Sequence, residues 1–201
     1  MQNAVPTPEL RSQEILIGVR NAFAQKGFDG ASMQDLARAA GMSVGNFYRY
    51  FPSKSAMVEA IIAQDIAEME KDFSAILSAP DPMQILRSAI AQRVNEDLCK
   101  GHGSLWAEIT ATALRKPEIG DVVCRMEISV IGQLVSVFAQ ATGLPQDRAA
   151  QTFTDHATLI VMLIKASTIR AGFTPDGNPT ALVLRMINQT LDEVMSFKTE
   201  G

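Results

Sequence analysis

Apolar side chains recur at intervals of three and four residues along nearly the whole of this 201-residue chain. That spacing places them on one face of an α-helix, whereas a half-buried β-strand needs alternation with a period of two. No alternating run is long enough to propose a sheet, and no internal repeat is evident. Serines, prolines and glycines that cap or break helices divide the pattern into about nine segments. The sequence therefore predicts an all-α fold of about nine helices.

Two short helices are predicted to meet at Gly41, because glycine readily takes the positive φ that a tight turn between helices needs. Ser32, with Asp35 three residues later, is the expected N-cap of the first helix, and Ser43 is that of the second. The pair is predicted to pack together, and against the helix before it, through Leu36, Ala40, Met42, Phe47 and Tyr50. This arrangement is typical of a helix-turn-helix.

The outward face of the second helix is predicted to contact DNA. A helix-turn-helix places the first turns of this helix in the major groove, where short side chains contact base edges. The residues left outward are Val44, Gly45, Asn46, Tyr48 and Arg49. The side chains within reach of flanking phosphates are Tyr48, Arg49, Tyr50 and Lys54. The helix N-termini that begin at Ser32, Ser43 and Ser53 offer further N–H groups to phosphate oxygens. An ordinary helical hairpin would share the glycine but not this aromatic and basic face.

The charge of the chain is unevenly distributed. The whole chain holds 18 basic and 22 acidic side chains, whereas residues 1–55 hold six basic and four acidic ones. Residues 1–55 therefore carry a net charge of +2, and the rest of the chain carries −6. A basic end on an acidic body can bind a polyanion, which agrees with DNA binding through the N-terminal part.

The N-terminal quarter of the chain also resembles a known family. The motif Ser43-Val-Gly-Asn-Phe-Tyr-Arg-Tyr-Phe51, with the helices around it, is similar to the N-terminal domain of the TetR family of bacterial transcriptional regulators. The resemblance covers about residues 9–60, and the remainder is similar only in length and helical layout. It implies a three-helix DNA-binding domain at residues 1–55, followed by a larger helical effector-binding and dimerisation domain at residues 56–201.

The resemblance further implies a homodimeric repressor that binds double-stranded DNA and is released by a small-molecule effector. Carried over by position, Gln34 and the turn from Val44 to Asn46 would approach bases. Tyr48, Tyr50 and Lys54 would hold phosphates. Tyr50 stands where the family often has histidine, and a tyrosine donates one hydrogen bond without becoming cationic.

An effector cavity is predicted around Trp106, the only tryptophan. Methionines such as Met126 would supply an adaptable apolar wall, Phe153 would lie nearby, and Glu108 or His102 would be the polar group that holds the ligand. The alternative interpretation is that Trp106 is an ordinary core aromatic. The sequence does not identify the ligand.

The last two helices have more continuous apolar content than one solvated face requires. The residues predicted to form a four-helix interface between two subunits are Leu159, Leu163, Met186, Ile187 and Leu191. The alternative is that these helices cover the core of their own domain.

No metal site, cofactor or enzymatic centre is predicted. His102 and His156, the only histidines, share no helical spacing with Asp97 or Glu108 that is typical of a metal site. Cys99 and Cys124 are expected to be buried apolar residues.

The chain is also expected to be a cytoplasmic protein. Its N-terminus lacks the pattern of a signal peptide. The longest stretch without a charged residue, 128–146, contains glycine, glutamine and proline, so no membrane span is expected. Three functions remain open: a ligand-responsive repressor, an architectural DNA-binding protein, and a helical enzyme or ligand carrier.

Overall fold

The computed structural model describes residues 8–100, 102–172 and 179–197, and the side chains of residues 15–95, 103–172 and 179–197 within them. In this part of the chain, all regular secondary structure is α-helical. The all-α prediction is confirmed. The nine helices described are α1 (Pro8–Gly30), α2 (Met33–Ala39), α3 (Val44–Tyr50), α4 (Lys54–Leu77), α5 (Pro82–Lys100), α6 (His102–Ala113), α7 (Pro117–Thr142), α8 (Gln146–Ala171) and α9 (Thr180–Ser196).

The ends of α2 and α3 follow from local chemistry. The Ser32 side chain accepts a hydrogen bond from the Asp35 N–H, and the Asp35 side chain accepts one from the Ser32 N–H, which completes a capping box at the start of α2. Ser43 caps α3 in the simpler way, by accepting from the Asn46 N–H. Gly41 has a φ of 66° between the two helices, the backbone conformation that the turn requires.

The first helix changes direction at Gly27. Gly27 has a φ of 73° and a ψ of 168°, outside the helical region. The chain nevertheless continues in helical turns to Gly30, so α1 consists of a long segment and a short terminal one separated by this kink.

The chain divides into two compact units. Unit 1 comprises residues up to Gln64 together with Ser104–Val123, and unit 2 comprises Asp65–Gly103 and the residues from Cys124 onward. Most of α6 and the first residues of α7 thus belong to the unit that contains the helix-turn-helix, although they lie far beyond it in sequence. The division of functions at residues 55 and 56 stays a prediction.

The core of unit 1 holds the short helices in place. Phe23, Leu36 and Phe47 are each almost completely buried, and the rings of Phe23 and Phe28 stack with centroids 5.7 Å apart. The predicted packing is confirmed for Leu36 and Phe47, whereas Ala40 and Met42 are only partly buried. It is wrong for Tyr50, whose side chain is 52% exposed although it lies at the end of α3, less than one turn after the buried Phe47.

The core of unit 2 is built from α5, α7, α8 and α9 with the last part of α4. Phe153 is central, since its ring meets those of Phe138, His156 and Phe197 edge to face. Cys124 is exposed, so its predicted burial is wrong, and the side chain of Cys99 lies outside the described residues. The spacing of apolar residues around Cys124 does not by itself predict which side of α7 is buried.

One described helix, α7, is long and apolar enough to cross a membrane by length and composition alone. Its second half supplies Leu134, Val135, Val137 and Phe138 to the core of unit 2, where all four are buried. A core helix of a water-soluble protein passes the same length and composition test, and these four residues have that position.

The crossing of α1 and α2 depends on Gly18. A Cβ placed on Gly18 would lie 2.2 Å from the Ala39 carbonyl oxygen, which is a backbone atom that cannot swing away. Gly45, in contrast, has no atom within 4 Å of the corresponding position. The two glycines therefore form a matched pair for substitution.

We predict that Gly18→Ala lowers the free energy of unfolding by about 1–3 kcal/mol, as overpacking in a close contact does. Gly45→Ala should raise it by about 0.5–1 kcal/mol, because alanine favours the helix and meets no neighbour. Urea unfolding followed by circular dichroism measures both changes. An unaltered stability in Gly18→Ala would contradict the close crossing.

Candidate nucleic-acid interface

The third helix is anchored by one side chain and exposed on the rest of its surface. Phe47 is fully buried and contacts Phe51 with ring centroids 5.7 Å apart. With Phe47 turned inward, the other side chains of this seven-residue helix point outward. Those that the structure leaves exposed are Gly45, Asn46, Tyr48, Arg49 and Tyr50, and Val44 is partly buried. All of these predicted DNA-contacting residues lie on one short helix.

Gly45 has no structural reason to be glycine within the described part of unit 1. Its φ is not positive, and a Cβ would enter open space. Glycine inside a helix lowers stability by about 0.5–1 kcal/mol relative to alanine. A glycine at such a position is typical of a surface where the backbone must come very close to another molecule.

The N-terminus of α2 is occupied by a side-chain network. The Ser32 hydroxyl donates to Asp35 Oδ2 at 2.6 Å, and Lys26 Nζ donates to Asp35 Oδ1 at 2.6 Å. The Lys26 ammonium, followed by the hydrogen bonds from Ser32, holds the pKa of the Asp35 carboxyl well below its usual range. Gln34 is exposed on the same short helix. The predicted contacts of Ser32 and Gln34 with DNA would therefore be made beside a carboxylate.

Lys54, at the first position of α4, is held by the end of α1. Its Nζ donates to the carbonyl oxygens of Phe28 at 2.6 Å and Asp29 at 3.3 Å, and it lies 5.0 Å from the centroid of the Phe28 ring. An ammonium has three N–H groups, so one remains for a phosphate oxygen. The sequence predicts only the phosphate contact of Lys54, and no pattern in it indicates the hydrogen bonds from Lys54 to the end of α1.

The residues predicted to bind an effector do not share one compact unit. Trp106 and Glu108 belong to unit 1, whereas Met126 and Phe153 belong to unit 2 and are buried. The side chain of His102 lies outside the described residues. Glu108 Oε1 accepts a hydrogen bond from the Phe28 N–H at 2.6 Å, so this carboxylate has a partner at the end of α1. This partner is 80 positions away, and no pattern in the sequence indicates it.

The residues predicted to form a dimer interface face in two directions. Leu159 and Met186 are exposed and Leu163 is partly buried. Ile187 and Leu191 are instead buried in the core of unit 2, since they lie on the inner side of α9. Their surface is already covered by their own chain, and the prediction that they contact a second subunit is corrected accordingly. Met162 and Leu182, on the same two helices, are exposed as well.

The chain matches the family described as bacterial regulatory proteins, tetR family, over residues 15–61. It is 25% identical over 130 residues to the HTH-type transcriptional regulator UidR of Escherichia coli, which covers 65% of each chain. It is 33% identical over 112 residues to the HTH-type transcriptional repressor Rv1474c of Mycobacterium tuberculosis, which covers 50% of this chain and 59% of that one. The chain thus spans less than two thirds of the length of these curated relatives.

Solved structures extend the likeness of the fold over most of the chain. Salmonella enterica GusR aligns with a TM-score of 0.71 at 24% identity, over 94% of this chain and 100% of that one. A transcriptional regulator from Pseudomonas aeruginosa aligns with a TM-score of 0.74 at 19% identity, over 94% and 92% of the two chains. At these identities the alignments concern the fold alone.

The lowered pKa of Asp35 leads to a prediction about stability. Because the carboxyl titrates lower in the folded protein than in the unfolded chain, its contribution is fully present above the unfolded pKa of about 3.9. The contribution is lost as the pH falls through the lower, folded pKa. The difference in free energy of unfolding between the wild type and Asp35→Asn should therefore be constant near neutral pH and decrease below about pH 4. Urea titrations across this range measure it, with Asp121→Asn as the exposed control from the same unit. A difference that grows on acidification would contradict the network.

Proposed function

We propose, since this chain belongs to the TetR family of bacterial regulatory proteins, that it is a ligand-responsive homodimeric repressor of transcription. In this proposal residues 1–55 bind a near-palindromic DNA operator, and residues 56–201 dimerise and bind a small-molecule effector in the cytoplasm. The observation that supports it best is the outer face of α3. That face is exposed, carries an amide, two phenols and a guanidinium, and has a glycine where alanine would be more stable.

The exposed side chains of α3 have two proposed roles, contact with bases and contact with phosphates. Asn46 can form a bidentate pair with an adenine, which is worth about 1–3 kcal/mol of discrimination. Tyr48, Arg49 and Tyr50 can bind phosphates, which fix the register of the protein on the duplex but carry no sequence information. The remaining N–H of Lys54 can do the same from the start of α4. Base contacts and phosphate contacts together give both specificity and affinity.

Selection of bound fragments from random duplex DNA tests the proposal directly. A two-fold dimer must place its recognition helices in successive major grooves, about 34–36 Å apart. We expect the enriched sequences to contain inverted half-sites with this spacing. Enrichment without an inverted repeat would indicate an architectural DNA-binding protein, and failure to enrich any sequence would contradict DNA recognition.

Gly45→Ala separates recognition from folding. We predict that this variant binds the selected duplex at least about tenfold more weakly, a loss of about 1.4 kcal/mol or more, because the added methyl group keeps the helix away from base edges. Its fold should be at least as stable as that of the wild type. Titration of labelled duplex measures the affinity.

Gly132→Ala is the matched control for this experiment. Gly132 is also an exposed glycine within a helix, and a Cβ there meets no atom within 4 Å. It lies on α7 in unit 2 rather than on α3, so its substitution should leave the affinity unchanged. Equal binding by Gly45→Ala and the wild type would show that the α3 backbone does not approach the bases.

The proposed dimer interface uses the exposed apolar side chains of α8 and α9. These helices pack together in unit 2, and their inner sides are buried. Leu159 and Met162 on α8, and Leu182 and Met186 on α9, are between 44% and 61% exposed. Apolar surface on two neighbouring helices is well suited to a four-helix contact between identical subunits.

Met162→Asp should convert the dimer to a monomer, because dimerisation would then bury an unpaired carboxylate. Light scattering at a concentration where the wild type is dimeric measures this change. The control is Ile128→Asp, since Ile128 is 64% exposed on α7 of the same unit but lies outside the proposed interface. A dimer that persists in Met162→Asp would contradict the assignment, as would dissociation of Ile128→Asp alone.

A further inference from the structure

The short segment Phe28–Gly30, called here the α1 corner, connects the kink in α1 to the loop before α2. Its first N–H group, that of Phe28, donates to Glu108 Oε1 at 2.6 Å. Glu108 lies on α6 in the part of the chain that packs into unit 1. This hydrogen bond therefore connects α6 directly to the backbone that leads into the helix-turn-helix.

The carbonyl side of the α1 corner is held as well. Lys54 Nζ binds the carbonyl oxygens of Phe28 and Asp29, as described above. Lys54 lies only four residues beyond the end of α3, so its contacts with the α1 corner fix the chain that leaves α3. Glu108 on α6 thus accepts a hydrogen bond from the N–H of the α1 corner, and Lys54 at the start of α4 donates hydrogen bonds to its carbonyl oxygens.

Two further contacts reach the α1 corner from the turn between α6 and α7. Lys116 Nζ lies 5.1 Å from the centroid of the Phe28 ring, and Arg115 Nη2 lies 3.5 Å from Asp29 Oδ2. The Arg115 pair is exposed and contributes little by itself. Glu108 in α6, together with Arg115 and Lys116 in the turn after it, therefore contacts the three residues of the α1 corner in unit 1.

The backbone at Gly27 lies directly beside Glu108. Gly27 has a positive φ, at which a larger residue would be strained, and a Cβ there would lie 3.4 Å from Glu108 Oε1, in van der Waals contact. Phe28 is 4% exposed and Glu108 is half-buried. An ionised acceptor in such surroundings forms a stronger hydrogen bond than a neutral one in water.

We propose that Glu108 is a positioning residue that couples α6 to the helix-turn-helix through the Phe28 N–H. The inference rests on the proposed function, because operator binding is the output that the coupling controls. When the hydrogen bond is made, the α1 corner and the start of α4 are held with α6. When it is broken, α6 can move without displacing the recognition helix. Coupling between two sites is reciprocal, so operator binding must also affect α6.

The first experiment measures the hydrogen bond without DNA, as amide hydrogen exchange at Phe28 by NMR. Glu108→Ala removes the acceptor, and exchange at Phe28 should become about tenfold faster or more. Glu108→Gln retains an acceptor oxygen and should preserve most of the protection. Glu118→Ala removes an exposed carboxylate from the same unit and should change nothing at Phe28. Unchanged exchange in Glu108→Ala would overturn the proposal.

Glu108→Asp is the alternative if the alanine variant does not fold. It keeps the charge but withdraws the oxygens by one methylene group. It should accelerate exchange at Phe28 as the alanine variant does. Protection equal to that of the wild type in Glu108→Asp would likewise overturn the proposal.

The second experiment measures the coupling. Trp106, two residues before Glu108 on α6, is the only tryptophan, and its emission reports on this helix without labelling. At saturating concentrations of the selected duplex, emission should change in the wild type and in Glu108→Gln but not in Glu108→Ala. A full change in Glu108→Ala would overturn the coupling. Failure to select any duplex would instead contradict the proposed function, and the exchange result at Phe28 would still stand.

Discussion

The helices α2 and α3 have seven residues each, and helices of that length are not stable in water by themselves. Their conformation depends on burial of Leu36 and Phe47, which are both fully covered by the rest of unit 1. Because a single buried residue, Phe47, anchors the seven residues of α3, most of the remaining surface of this helix is free to contact another molecule. The exposure of the face proposed to contact DNA is thus a direct result of how little of the helix the core requires.

Short-range patterns in the sequence were sufficient to predict the helices and the helix-turn-helix. The Ser32–Asp35 capping box and the positive φ of Gly41 depend on residues within a few positions of each other, so a short stretch of sequence is enough to predict them. Periodicity also identified Phe47 as buried. It could not separate the two apolar sides of α9, and therefore Ile187 was assigned to a partner when it packs into its own chain.

The contacts missing from the sequence analysis are long-range and polar. Glu108 and Phe28 are 80 positions apart, and the donor is a backbone N–H, which leaves no trace in the residue type. Lys54 binds carbonyl oxygens in the same way. A glutamate or lysine in a sequence shows only that a charged group is present. Its partner is known only once the chain is folded. Tyr50 shows the same limit, since its spacing of three residues from Phe47 predicts packing, whereas its side chain is 52% exposed.

The make-up of unit 1 has a consequence for how its residues can be exchanged between proteins. The match to the family model ends at residue 61, but Leu105, Ile109 and Ile119 are buried within the same compact unit. A fragment cut after the start of α4 would expose apolar surface and leave the Phe28 N–H without its carboxylate. The compact unit that contains the helix-turn-helix is therefore discontinuous in the sequence. A chimera that joins residues 1–64 alone to a foreign C-terminal domain would have an incomplete core, so an exchange of unit 1 would require residues 104–123 to be transferred with it.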